Sequence, residues 1–171
     1  TGTGDLGVLE RLRIVEEQPA WAPHLRSKAI LRSSPKRHLA DPSLAVAAVG
    51  AGPERLLKDV DFLGLLFESM VIRDLRVFAQ SQGGQVFHYR DNNGLEVDAI
   101  GQLDDGRWAA FEIKLGVSRV DAGAETLQRF LRVIDAEKTG EPTMLGVITG
   151  TGFAHIRRDG VGVVPVGTLG P

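Results

Sequence analysis

The sequence of 171 residues predicts a mixed α/β (α+β) protein in which helices flank one central sheet. Three observations predict this class. A long helical segment is followed by three short strand-like segments that are joined by turn residues. A second helical segment then precedes two more strand-like segments. The tight turns favour an antiparallel meander, and the later helix favours a crossover connection back into the same sheet.

The N-terminal part predicts small elements. Residues 5–17 predict a short helix that runs into a strand. Four prolines fall within residues 18–42, so any strand there is short or lies at an edge. Asp41 and Pro42 are typical of the N-cap and first position of a helix, which we expect to end near Gly50.

The remaining elements begin after a break at Gly52-Pro53. A long helix is predicted over residues 61–82, because Gly83-Gly84 ends its apolar pattern. The elements predicted after it are strands at 85–90, 95–100 and 107–115, a helix at 121–138, a strand at 143–149, and a closing hairpin about Asp159-Gly160 that ends in 161–166.

Composition excludes several classes of protein. Hydrophobic residues make up 43% and charged residues 25% of the chain, which excludes a disordered tail, a collagen-like repeat and a coiled coil. No apolar run approaches the roughly 18 residues that span a bilayer, so we expect no membrane partner. The absence of cysteine excludes disulfides, thiolate metal sites and thiol nucleophiles, and is compatible with the cytoplasmic location that we expect.

One segment is strongly basic although the net charge of the chain is −2. There is no acidic residue between Glu17 and Asp41, and five cations lie there: Arg26, Lys28, Arg32, Lys36 and Arg37. Such asymmetry predicts an anionic partner such as DNA. The alternative is that these are solvated charges of a loop.

Nucleotide binding by this chain is not expected. The glycines at positions 2, 4 and 7 match a dinucleotide-binding pattern, but no strand can precede them. No phosphate-binding loop of the GxxxxGK[ST] type is present, and the four histidines lack metal-ligand spacing.

Glu68 is a candidate functional residue because it lies in the apolar stripe of the long helix, beside Leu65 and Ile72. A carboxylate in such a stripe costs free energy unless it is paired, hydrogen-bonded or bound to a metal. The alternative is a buried acid that a backbone amide or an arginine satisfies.

Asp98 and Glu112 are predicted to face each other across a hairpin. The Asp-Asp-Gly connection predicts a type I turn closed by Gly106 in the left-handed region, which pairs residue 103 with 107 and therefore Asp98 with Glu112. Opposed carboxylates repel, so a cation is expected between them. Lys114 would offset this repulsion in part, and a bound Mg²⁺ or Mn²⁺ ion would offset it more fully. The alternative is a surface hairpin of mixed charge.

Together these candidate residues suit one chemistry; they are Glu68, Asp98, Glu112 and Lys114. Carboxylates hold a divalent cation, and a nearby lysine positions the attacking water and stabilises developing negative charge. Together they are the components of metal-assisted hydrolysis of a phosphodiester bond.

The pattern resembles a known superfamily. Val97-Asp98, thirteen further residues and then Glu112-Ile113-Lys114 resemble the PD-(D/E)XK signature of the restriction-endonuclease-like superfamily, and Glu68 matches its first-helix acid. A closer likeness is to the uncharacterised C-terminal domain attached to bacterial AAA-family ATPases. The segments that support it are 34–44, 64–68, 89–90, 96–98 and 111–114.

The resemblance implies a role for each matching residue. Glu68, Asp98 and Glu112 would be catalytic metal ligands for Mg²⁺ or Mn²⁺, and Lys114 would position the water. Val97 stands where the superfamily usually has proline, and Gln128 would be an auxiliary residue on the DNA side.

The resemblance also implies a domain organisation. Residues 1–52 would be a winged-helix-like tail or linker, and residues 53–171 the nuclease-like domain. An ATPase module would be missing from this chain, in keeping with its start at Thr1 rather than methionine.

Three functional hypotheses follow. The first is a divalent-metal-dependent nuclease that acts on DNA. The second is a non-catalytic module that binds DNA or a protein partner and regulates the attached ATPase. The third is a vestigial acidic site that serves only stability. Self-association into a homo-oligomer is compatible with all three.

Overall fold

The computed structural model describes residues 2–12, 14–23 and 34–170. The N-terminal elements are small, and two of them pair as a separate antiparallel sheet of two strands, β1 with β2. In chain order they are α1 (Gly2–Arg11), β1 (Val15–Gln18), β2 (Lys36–Leu39), α2 (Pro42–Ala48) and α3 (Pro53–Lys58).

The main sheet has six strands in the order β3-β4-β5-β6-β8-β7. The first three form an antiparallel meander, β6 and β8 continue in parallel with β5, and β7 is antiparallel to β8. This confirms the predicted mixed α/β class. Its elements are α4 (Val60–Ser81), β3 (Gly84–Arg90), β4 (Glu96–Leu103), β5 (Trp108–Lys114), α5 (Val120–Val133), α6 (Ala136–Thr139), β6 (Met144–Thr149), β7 (His155–Ile156) and β8 (Gly162–Pro165).

Helices cover both faces of this sheet, and β5 shows which residues face which helix. Trp108 and Ala110 belong to the core cluster that contains Leu127 of α5. Ile113 belongs to the second core cluster, with Val71 of α4. Because side chains alternate along a strand, Glu112 and Lys114 face the α5 layer together with Trp108 and Ala110.

Two elements differ from the prediction. α3 was not predicted; it begins at Pro53, whose fixed backbone suits the first helical position. The helix predicted over 121–138 is divided, because Ile134 adopts an extended conformation and is buried in the α5 core. That burial overrides a local pattern that continues into α6. The predicted N-cap is confirmed, since the Asp41 side chain accepts a hydrogen bond of 2.9 Å from the Ser43 amide.

The N-terminal segment shares the main core. Trp21 is 1% exposed and lies 5.0 Å from Trp108 and 6.0 Å from Phe130, between ring centroids. Its backbone amide donates to the His88 carbonyl of β3 at 2.7 Å. Within the described ranges, no helix is both long and apolar enough to cross a membrane.

Candidate functional site

The β4–β5 hairpin has the predicted register. Gln102 pairs with Trp108 and Ala99 with Phe111, and Gly106 lies in the left-handed region at φ 88°. Counted from the turn, the last residue of β4 that pairs with β5 is Ala99, which is the chain neighbour of Asp98. The Asp98 carboxylate accepts a hydrogen bond of 2.9 Å from the Ile113 amide through Oδ2. The sequence therefore brings Asp98 and Glu112 to the open end of the hairpin.

A bulge in β4 separates Asp98 from regular pairing on its other side. Phe87 pairs with Ile100 but Tyr89 pairs with Val97, so one residue of β3 faces two residues of β4, at positions 98 and 99. An extra residue bends a strand and redirects its side chains. Asp98 consequently contacts Lys36 of the small sheet as well as Lys114 of β5.

Five charged side chains form a row of alternating sign, called the charge row below. Lys36 Nζ lies 3.6 Å from Glu68 Oε1 and 3.7 Å from Asp98 Oδ1. Lys114 Nζ lies 3.1 Å from Asp98 Oδ2 and 2.6 Å from Glu112 Oε2. The order is Glu68, Lys36, Asp98, Lys114, Glu112, so an ammonium group separates each carboxylate from the next.

Burial shapes the ionisation of the charge row. Burial, and then the charge of Asp98, raise the pKa of Glu112 to about 7, although Lys114 opposes the shift. Burial and Asp98 also raise the pKa of Glu68 above its ordinary value. For Lys114, burial lowers the pKa, but Asp98 and Glu112 outweigh it and the net shift is upward. Lys114 is therefore protonated at neutral pH.

Carboxylate oxygens are the ligands that a hard cation prefers, but the three carboxylates of the charge row do not converge on one point. Within the part of the chain that the structure describes, no three Asp, Glu, His or Cys side chains are placed to hold a metal ion. Glu68 comes from α4, whereas Glu112 faces α5 on the other side of the sheet. Asp98 is the carboxylate that both lysines share.

A pocket of about 270 Å³ opens beside one end of the charge row. Its lining includes Asp98, Glu112 and Lys114, together with Thr126 and Arg129 from α5. Arg129 is exposed and forms no ion pair with any described residue. The residues that line the pocket thus include both acidic residues and an arginine.

The predicted DNA-binding residues that lie within the described ranges do not form one cluster. Lys36 belongs to the charge row, and Arg37 pairs with Glu17 at 3.0 Å in the small sheet. Gln128 donates to the Asp159 carbonyl at 3.1 Å and is thereby held against the β7–β8 loop. Three of the predicted residues, Arg26, Lys28 and Arg32, lie outside the described residues.

A buried polar network fixes β2 beside the charge row. His38 Nε2 lies 2.9 Å from Gln18 Oε1, and His38 Nδ1 lies 3.3 Å from the hydroxyl of Ser69. Gln18 Nε2 donates to the carbonyls of Phe87 and Asp98, both at 2.9 Å. Because the amide of Gln18 presents its oxygen to His38, the imidazole carries its proton on Nε2 and accepts from Ser69 on Nδ1.

The neighbours of the site that were not predicted are Gln18, His38 and Arg129. His38 follows Lys36 by two residues in β2. Residues two apart in a strand lie on one face, so a correct strand assignment would have placed them together. Arg129 lies three residues after Thr126 on α5, a spacing that puts both on one helix face. Gln18 gave no local signal, because its partners are 69 and 80 residues away.

Fold and site together define a mixed α/β domain with a half-buried row of alternating charges at the open end of its hairpin. Residues 63–169 match the family described as a domain of unknown function, DUF4143. This match spans more than half of the chain, so the chain belongs to that family. Residues 3–55 are similar to a second family, also described as a domain of unknown function, DUF8612. No curated protein and no solved structure matches the chain.

Proposed function

We propose that this chain is a divalent-metal-dependent nuclease domain that hydrolyses phosphodiester bonds of DNA. The observation that carries the proposal is the charge row, which brings all four predicted catalytic residues to one end of the sheet. The resemblance to the PD-(D/E)XK superfamily assigns the same residues the same chemistry. It also implies that the domain belongs to a larger AAA-family ATPase.

The donor chemistry fits Mg²⁺ or Mn²⁺. Glu68, Asp98 and Glu112 offer hard oxygen ligands, and such ions bind through few carboxylates while keeping several waters. Bound there, the ion would polarise a phosphoryl oxygen and make a coordinated water more acidic.

The residues of the chain have separable tasks in this reaction. The Ile113 amide orients Asp98 by holding one of its carboxylate oxygens at 2.9 Å. Lys114 is protonated, so it acts as a hydrogen-bond donor that positions water and stabilises negative charge on the phosphate. Glu112 lies 2.6 Å from Lys114 through Oε2 and so helps to fix the position of that ammonium group.

The second candidate function is a non-catalytic module that binds DNA or a protein partner and regulates the attached ATPase. Two lysines already lie against all three carboxylates, and this observation favours it. The two ammonium groups offset two of the three negative charges, which reduces the repulsion among the carboxylates without a metal ion.

A cleavage assay tests the proposal. The full chain is incubated with supercoiled, linear, single-stranded and branched DNA in Mg²⁺ or Mn²⁺, beside Asp98→Asn and Lys114→Met. We expect each variant to cleave about 100-fold more slowly or not at all, because each loses a charged catalytic group. The control Asp105→Asn removes an exposed carboxylate whose partner among the described residues is Arg107, in the same turn. It should cleave like the native chain.

The outcomes separate the two functions. Cleavage of equal rate in the native chain and in both variants contradicts the proposal. If no DNA is cut but DNA binds with a steep dependence on salt, the non-catalytic module is supported instead. Circular dichroism and thermal unfolding verify that each variant is folded.

A further inference from the structure

We propose that Lys36 is a tethered cation that occupies the place of the divalent ion and leaves the charge row when the metal binds. This inference rests on the proposed function and deepens it, because it names what regulates occupancy of the site. Lys36 comes from β2, in the segment that matches the second family, rather than from the main sheet.

The two carboxylate oxygens that face Lys36 accept no hydrogen bond from another described residue. Asp98 Oδ2 already accepts from the Ile113 amide and from Lys114, at 2.9 and 3.1 Å. Asp98 Oδ1 faces Lys36, and so does Glu68 Oε1. An ion that joins Glu68 to Asp98 would take the position of the Lys36 ammonium. Two cations in one such position repel each other, so one of them has to leave.

The contacts of the two lysines differ in strength. Lys36 Nζ lies 3.6 and 3.7 Å from its carboxylate oxygens, beyond hydrogen-bond distance, whereas Lys114 contacts Glu112 at 2.6 Å. A Mg²⁺ ion would contact the same oxygens at about 2.0–2.1 Å and carries twice the charge. Lys36 is therefore the exchangeable cation of the charge row, and Lys114 is the fixed one.

The backbone of β2 stays in place while the side chain moves. His38, two residues after Lys36, contacts Ser69 beside Glu68, and Gln18 holds the backbone of Asp98. These buried contacts anchor β2 to both acidic elements. The Lys36 side chain is 26% exposed and carries its ammonium group on a flexible chain of four methylene groups. The ammonium group can therefore move into water without unfolding of the sheet.

Metal titration of matched variants tests the proposal. Mn²⁺ binding to the full chain is measured by calorimetry at fixed pH and ionic strength for the native chain, Lys36→Gln, Lys36→Arg and Lys138→Gln. We expect Lys36→Gln to bind Mn²⁺ at least tenfold more tightly, because the competing charge is gone. Lys36→Arg keeps the charge and should not tighten binding. Lys138→Gln removes an exposed lysine that pairs with Asp135 and is the matched control.

The outcomes distinguish this inference from the proposed function. If the native chain binds Mn²⁺ and Lys36→Gln binds it equally or more weakly, Lys36 does not compete and only this inference is overturned. If none of the proteins binds Mn²⁺, both this inference and the metal site are overturned.

A measurement on the native chain needs no variant and applies even if Lys36→Gln fails to fold. Nuclear magnetic resonance follows the side-chain signals of Lys36 during Mg²⁺ addition. We expect them to shift toward the values of an exposed lysine in proportion to saturation, while those of Lys138 stay constant. Saturation with Mg²⁺ without a shift at Lys36 overturns the proposal.

Discussion

The buried histidine of β2 predicts that the domain loses stability in mild acid. His38 is 7% exposed and is neutral, since it donates to Gln18 and accepts from Ser69. Burial, together with the nearby charges of Arg76 and Lys36, lowers its pKa from 6.5 to about 4. A neutral imidazole is therefore part of the folded state at every pH above that value.

The magnitude and sign follow from proton linkage. The unfolded chain binds a proton at His38 near pH 6.5, whereas the folded chain binds it only near pH 4. Between these values the unfolded state holds more protons, so the free energy of unfolding falls as the pH is lowered. A difference of about 2.5 pKa units at about 1.36 kcal/mol each gives a loss of about 3 kcal/mol from this residue. The contribution is fully present above pH 6.5.

Urea unfolding at a series of pH values from 7.5 to 4, without divalent metal, measures this loss. His38→Gln retains a donor and an acceptor but does not titrate. We expect the stability difference between the native chain and this variant to shrink by about 3 kcal/mol across the range. His155→Gln makes the same substitution at an exposed position and is the control for the substitution itself. Parallel curves for the native chain and His38→Gln would refute the reasoning.

Packing gives two further predictions that urea unfolding checks. Gly123→Ala places a methyl group 3.2 Å from Val147 and 3.3 Å from the Cβ of Glu112, so it should destabilise the domain by about 1–3 kcal/mol. Gly64→Ala, in the open on α4, is its control and should stabilise by about 0.5–1 kcal/mol; equal effects at both positions would contradict the packing argument. Trp21→Ala should cost about 3–5 kcal/mol, because this ring is buried against Trp108. A cost below about 1 kcal/mol would show that the N-terminal segment does not pack there.

Local patterns were sufficient for most of the fold. The helix predicted over 61–82 is observed as Val60–Ser81, because its apolar stripe and the glycines that end it are both local signals. The hairpin register was also predictable, since the position of Gly106 fixes the turn and the turn fixes every later pair. That register brought Asp98 and Glu112 to the same end of the sheet.

The site was less predictable because its decisive contacts are distant in sequence. Lys36 was expected on a basic surface for DNA, but it lies between Glu68 and Asp98, which are 32 and 62 residues away. No periodicity links such positions. The bulge at Asp98 was also hidden, because its cause is a change in pairing with β3 rather than a glycine or proline at that point.

The buried contacts of Trp21, Gln18 and His38 have a consequence for how the sequences of the two matched segments can change in evolution. Segments 3–55 and 63–169 match two different families, yet one aromatic cluster and one polar network join them. A fragment that begins after the first segment would expose the Trp108 face and lose both the anchor of Asp98 and the cation beside it. The two matched segments therefore share buried contacts, and a change in either segment is constrained by the shape and charge of the other.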